Sequence, residues 1–292
     1  MKKFVITSDS SCDLTKSMVD ELDVKCAHLS YTIDNQVFHD DMIEEHINEF
    51  YRKMENGAVP KTSQIPPSEF ESFFTESLSE KLPVLHISLS SSLSGTYRSA
   101  CLAADEICEN NPDAYIKVLD SSVGSAGLAM LILEAVKYRD AGRSIEETAA
   151  RLEAIKENIN ICITTDDLTY MRRGGRISAS AAMVSSVLSI SPFITLSRAG
   201  KLYVCNKVRG SKQVLQKFCS FVSDTVLKPE QQTLYIVHSN ALAKAKAFGE
   251  TLKNRLGFKR IKYLQFGTTI GSHAGPGLVS AFYFGKLRPI HI

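Results

Sequence analysis

PVLHISLSSSLSGTYRSACLAADEICE, residues 83–109, runs a strand, a turn and a helix together without a spacer. The apolar PVLHISL has the length of a buried strand, and YRSACLAADEICE carries its apolar residues at helical spacing. Between them SSSLSGT, residues 90–96, crowds hydroxyls and one glycine into the turn. Backbone N–H groups at a helix start have no intrahelical partner, so with these hydroxyls they make a place where a phosphate or a carboxylate can be held. A single serine or threonine there is equally the ordinary N-cap of a helix. Ser91, Ser92 and Ser94 exceed what one cap needs.

The flanking chain repeats the pattern. KFVIT (3–7) reads as a first strand, and SDSSCDLT supplies caps for a helix through Met18 and Leu22. Ser8 and Asp9, just past that strand, stand where open α/β sheets carry chemistry, and capping accounts for them as well. VKCAHLSYTIDNQVFHDD (24–41) alternates about Asp34-Asn35 as a hairpin does. An amphipathic helix comes next, over 42–54. The prolines of PKTSQIPPSEF (60–70) hold Thr62, Ser63 and Gln64 extended before a helix through Phe70, Phe73 and Phe74. Beyond residue 109 come the strand YIKVLD (115–120), the small-residue turn SSVGSAG and two helices, 128–141 and 145–158. The second is charge-rich, expected at the surface and as a bridge to a second domain. Strands alternating with helices at these spacings predict a parallel sheet covered on both faces.

The second half is of another kind. ICITT (161–165) is a strand, and DDLTYMRRGGRIS breaks into a glycine turn flanked by Arg172, Arg173 and Arg176, a grouping suited to an anion or simply to a solvated basic loop. A small apolar stretch to residue 188 precedes PFITLSRAGKLYVCNKVRG, a hairpin turning at Ala199-Gly200. Helices over 211–226 and 241–256 alternate with the strands TLYIVHS and IKYLQFG. The last segment places His273 between glycines, which leaves its imidazole either accessible or packed on something distant. The fold expected is α/β with two domains: residues 1–158 with a parallel sheet and residues 159–292 with a mixed sheet.

Composition narrows the function. A hydrophobic share of 44% and a charged share of 23% belong to a globular chain, and a net charge of +2 lends no support to a nucleic-acid partner. The N-terminal apolar run is too short for a signal peptide and no stretch approaches a membrane span, so a cytoplasmic location is expected. The seven cysteines are odd in number and contain no CxxC pair, which argues against a disulfide framework and against a zinc site. No cofactor and no metal are expected.

Taken together, KTSQ (61–64), SSSLSGTY (90–97), DSSVGSAG (120–127), RRGGRIS (172–178) and IGSHAGPG (270–277) resemble the DegV family along essentially the whole chain. These are bacterial fatty-acid-binding proteins that act as the lipid-carrying subunit of fatty acid kinase. The resemblance implies a two-domain α/β protein holding one long-chain fatty acid, with a separate ATP-dependent kinase subunit as partner. That subunit phosphorylates the bound acid to an acyl phosphate for phospholipid synthesis, so the carrier itself is not an enzyme, and transient contact with a membrane or an acyltransferase is implied. On matching positions, Thr62 and Ser94 bind the carboxylate, with Ser91 as a further candidate, and Arg176 and His273 form the polar network around it. The doubled Arg172-Arg173 departs from the single basic residue usual before GGRI. The small and apolar stretches 123–133 and 181–194 are the candidates for the acyl tunnel.

Two other classes compete. A serine hydrolase would use Ser94 or Ser91 with His273 and an acid such as Asp120, but no GxSxG elbow is present. A phosphate-ligand-binding enzyme would use the 90–96 loop, but there is neither a GxxxxGK[ST] nor an acidic metal pair beside it. An interaction or transcriptional role finds no helix-turn-helix pattern and no basic stripe.

Overall fold

A computed structural model describes residues 2–177 and 190–290. Four parallel strands, β1 (Val5–Asp9), β2 (Val24–Ala27), β6 (Val84–Ser88) and β7 (Ile116–Asp120), form one sheet in the order β2-β1-β6-β7. Every residue of β1 and β6 is buried, as expected of strands covered on both faces. One cover is α3 (Pro67–Leu78) with α4 (Thr96–Asn110), whose Phe70, Phe74, Ala100 and Ala103 pack on Val5, Val84 and Ile116. A small antiparallel sheet stands beside it, β4-β3-β5, from β3 (Ser30–Ile33), β4 (Gln36–His39) and β5 (Lys61–Ser63). Its hairpin turns at Asp34 and Asn35 as expected, both left-handed with φ of 51° and 63°.

The second half is a six-stranded mixed sheet, in the order β10-β9-β8-β13-β11-β12. Its strands are β8 (Ile159–Thr164), β9 (Ile190–Leu196), β10 (Leu202–Arg209), β11 (Thr233–His238), β12 (Arg260–Gln265) and β13 (Val279–Phe284). Only the β11–β12 pair is parallel among the pairings described. A second core forms where Val214, Phe218 and Val222 of α8 (Ser211–Thr225) meet Phe248 and Leu252 of α9 (Leu242–Leu256).

The helix that joins the two sheets is α5 (Ala126–Asp140), not the charge-rich helix expected to bridge them. AGLAMLILEAV is apolar nearly all round, so no face is left for water, and α5 contacts β1 and β6 on one side and β8 and β13 on the other. The charge-rich helix, α6 (Ile145–Ile155), lies outside α5, with Ile145, Ala149 and Leu152 turned inward and a Ser144–Glu147 capping box at its start. One buried cluster therefore runs from Phe4 to Phe282 across both sheets.

The β9–β10 hairpin turns at Ala199-Gly200 as the sequence indicates, and its tip reaches back to the first sheet. Ser90 donates to the Gly200 carbonyl at 3.3 Å and Ser92 to the Ala199 carbonyl at 2.6 Å. A Cβ on Gly200 would stand 2.7 Å from the Ser122 carbonyl oxygen, so the tip must be glycine both for this approach and for its φ of +75°.

Candidate functional site: an apolar cavity with a polar mouth

The loops after β1, β6 and β7 gather at the C-terminal edge of the parallel sheet, where open α/β sheets place their ligands. A cavity of about 270 Å³ lies there. Thr62, Ser94, Arg176 and His273 line it together, and its apolar walls include Ile161 and Ile163 of β8, Leu196 of β9, Leu202 of β10 and Phe282 of β13, with Leu29, Leu89, Leu93 and Met171 from other elements. Of the tunnel stretch 123–133 only Gly124 and Ser125 line it; the rest of that helix is core. Of the other stretch, 181–194, residues 181–189 lie outside the described residues, and none of 191–194 lines the cavity.

Four elements bring the polar group together. Thr62 sits on β5, paired opposite Tyr31 of β3. Ser94 ends the loop before α4, where its Oγ accepts from the Thr96 backbone N–H at 3.2 Å and lies 2.9 Å from Thr96 Oγ1. The N-cap of α4 is Gly95, which makes no side-chain cap bond, so Ser94 is not used up as the cap; with Thr96 Oγ1 as the donor of their hydroxyl pair, Ser94 keeps its own hydroxyl hydrogen for a ligand. The TSQ and LSGT stretches interlock, since a Cβ on Gly95 would fall 2.0 Å from Gln64 Oε1.

Arg176 comes just past the turn after α7 (Thr169–Arg173). It reaches across to donate from Nε to the Leu93 carbonyl at 3.0 Å, and from Nη1 to the Gly174 carbonyl. Arg172 and Arg173 are exposed, so of the three arginines Arg176 is the one in the cavity wall. Burial lowers its pKa.

His273 stands not on a glycine turn but on a short helix, α10 (Thr268–Ala274). Its Nε2 is 2.8 Å from Thr62 Oγ1, whereas Nδ1 is buried with no partner. The reason is Gly174: a Cβ there would sit 2.1 Å from Nδ1, so the imidazole edge rests directly on that glycine. Burial, and then the Arg176 charge, push the His273 pKa down to about 4, and the ring is neutral at pH 7. A neutral imidazole has one N–H. On Nδ1 it would be an orphaned buried donor, so the hydrogen belongs on Nε2, where it donates to Thr62. Thr62 then has its own O–H free to point into the cavity.

Ser91 is not brought into this group, contrary to expectation. It is exposed and outside the cavity wall, and it is held by Asp120, to which its Oγ donates at 2.5 Å and its N–H at 3.2 Å. Asp120 also accepts from the Ser122 N–H. The hydrolase triad is thereby taken apart, since Asp120 serves Ser91 and Ser122 while His273 serves Thr62; among the described residues no serine hydroxyl is bonded to a histidine. Nor do three His, Cys, Asp or Glu side chains gather to hold a metal among the described residues. Also among them, no helix is long and apolar enough to cross a membrane.

Two groups near the site had no signal in the sequence: Asp13 and Asp40, buried carboxyls at the start of α10. Burial raises the pKa of both.

Comparison with known proteins agrees along the full length. A family model described as "Uncharacterised protein, DegV family" matches residues 3–286. A DegV domain-containing protein of Clostridium perfringens is 36% identical over 289 residues, covering 99% of each chain. Among solved structures, a Thermotoga maritima protein described as revealing fatty acid binding function superposes with a TM-score of 0.83 at 26% identity, over 97% of this chain and 100% of that one. A DegV family protein from Thermus thermophilus, described for its fatty acid binding, gives 0.85 at 26% identity, over 98% and 100%.

Proposed function

The chain belongs to the DegV family, and from that premise we propose that it binds one long-chain fatty acid in this cavity and presents the carboxylate to an ATP-dependent kinase for conversion to an acyl phosphate. The observation that carries the reading is the placement of Thr62, Ser94, Arg176 and His273 together in the lining of a mostly apolar cavity. A carboxylate leaving water needs several donors, at least one of them charged. The hydroxyls of Thr62 and Ser94 supply two, and the Arg176 guanidinium supplies the opposite charge. His273 acts behind Thr62, fixing the direction in which that hydroxyl points. The acyl chain is held by the apolar walls, each buried CH₂ contributing about 0.8 kcal/mol.

The division of labour runs along the chain. Residues 1–158 bring the carboxylate-binding hydroxyls, and residues 159–292 bring most of the acyl wall together with Arg176 and His273. The fatty acid binding described for the Thermotoga and Thermus proteins supports the ligand class. The experiment is titration with oleate, then turnover with a fatty acid kinase catalytic subunit. One oleate per chain is expected, and Arg176→Ala should reduce acyl-phosphate formation more than it reduces oleate binding. Equal losses in both would remove the presenting role from Arg176.

A further inference from the structure

The helix that carries His273 is held at its start by residues more than two hundred positions away. Asp13 Oδ1 accepts from the Gly267 N–H at 2.8 Å, and Asp40 Oδ2 accepts from the Thr269 N–H at 3.0 Å. Tyr51 donates its hydroxyl to the Phe266 carbonyl at 3.0 Å. One turn on, a Cβ at Gly271 would come within 2.6 Å of the Tyr51 hydroxyl, so α10 lies flush on that ring.

The two carboxyls stand in an expensive place. Asp13 is 6% and Asp40 is 1% exposed, and Asp13 Oδ2 and Asp40 Oδ1 are buried without a hydrogen-bond partner. The hydroxyls of Ser125, for Asp13, and of Thr268 and Thr269, for Asp40, come close enough to ease the charge without making bonds of good geometry. Accepting one N–H does not require a carboxylate; an amide or hydroxyl would do so without burying an acid. What a carboxylate adds is a stronger, shorter bond.

Thr269 and His273 are four residues apart on α10, hence on one face and one turn from each other. A helix of seven residues moves as a unit, so whatever fixes its first turn fixes the imidazole. We propose that Asp13 and Asp40 are positioning residues of the carboxylate clamp: by holding Gly267 and Thr269 they set where His273 Nε2 meets Thr62. The placement of His273 stands on geometry alone; its consequence for a lipid rests on the fatty-acid reading above.

The test uses two readouts on the full chain: the His273 ring nitrogen resonances, assigned by their loss in His273→Gln, and affinity for oleate. Asp40→Ala should shift the His273 signals and weaken oleate by at least about tenfold, while Asp40→Asn, which still offers an acceptor, should recover most of both. In a His273→Gln background the Asp40→Ala effect on oleate should shrink to less than about threefold, because the residue acts through the histidine. Val222→Ala, in the separate core of the second half, serves as a control that lowers the melting temperature and leaves the His273 signals in place. Unmoved His273 signals in folded Asp40→Ala, or an Asp40 effect that adds in full to His273→Gln, would overturn the proposal. Should the alanine variant not fold, Asp40→Ser, too short to reach the Thr269 N–H, takes its place: shifted His273 signals support the proposal and unmoved ones overturn it. Wild-type protein that takes up no oleate would count against the fatty-acid reading, and the His273 signals would still decide this one.

Discussion

The polar group and the apolar wall of the cavity are assembled in opposite ways. One side of the wall comes from neighbouring strands of one sheet, Ile161 and Ile163 beside Leu196, Leu202 and Phe282, where each residue backs up the next, and Leu29, Leu89, Leu93 and Met171 add apolar surface from other elements. The polar group takes one side chain from each of four elements, and its central hydrogen bond, Thr62 to His273, joins residues 211 positions apart. Dispersion and burial are summed over many atoms, whereas a hydrogen bond needs one atom in one place. Single substitutions should therefore act sharply at the mouth, and the sharpness should follow geometry rather than residue type.

The largest effect is expected from Thr62→Ala with Ser94→Ala, which removes both hydroxyl donors to a charged group and should lower oleate affinity by about a hundredfold or more. Isothermal titration checks it. A loss within a few fold would mean that the mouth is no more demanding than the wall. Next comes Gly174→Ala, at a residue that does not itself line the cavity. The new Cβ would meet His273 Nδ1 at 2.1 Å and drive the ring from Thr62, with about a tenfold loss of oleate and an unchanged circular dichroism spectrum. Retained affinity would show that the Thr62–His273 bond is dispensable.

A smaller effect is expected from pH. His273 is pushed from 6.5 down to about 4, so the unfolded chain takes up that proton before the folded one. The stability it contributes is full above about pH 6.5 and is lost as pH falls towards about 4. His238, held at about 4 by burial, slopes the same way. Asp9, Asp13 and Asp40 slope the other way, because burial raises their pKa and protonation of the folded state relieves it. Replacing His273 with Gln should therefore flatten the acid side of the melting-temperature profile without abolishing it; parallel profiles would mean that His273 does not hold its proton off in the folded state. The smallest effect is expected from Ser91→Ala, three residues from Ser94 in the same loop. It loses only the exposed contact with Asp120 and should bind oleate as wild type does.

That last contrast shows where the sequence stops being informative. SSSLS offers chemically equal hydroxyls, and only the fold assigns Ser90 and Ser92 to the β9–β10 hairpin, Ser91 to Asp120 and Ser94 to the cavity. The local patterns are readable because their causes are local: the strand-turn-helix at 83–109, the hairpin turns at Asp34-Asn35 and Ala199-Gly200, and the parallel and mixed sheets they imply. Thr62, Ser94, Arg176 and His273 can be named together only because five motifs are taken jointly. Asp13 and Asp40 cannot, since each looks like an ordinary acid near a turn. What makes them unusual is the burial imposed by Gly267 and Thr269, 254 and 229 residues away. The joining helix escapes the sequence for a related reason: charge on α6 reports one exposed face, while the lack of charge along most of α5 reports that it lies between two sheets.

The central claim is that the cavity is a fatty-acid site, and mass spectrometry of an organic extract of natively purified protein tests it most directly. The account predicts long-chain fatty acid at about one per chain, falling in the Thr62→Ala, Ser94→Ala double variant. Protein that is free of lipid as purified and takes up neither oleate nor palmitate when they are added would contradict it.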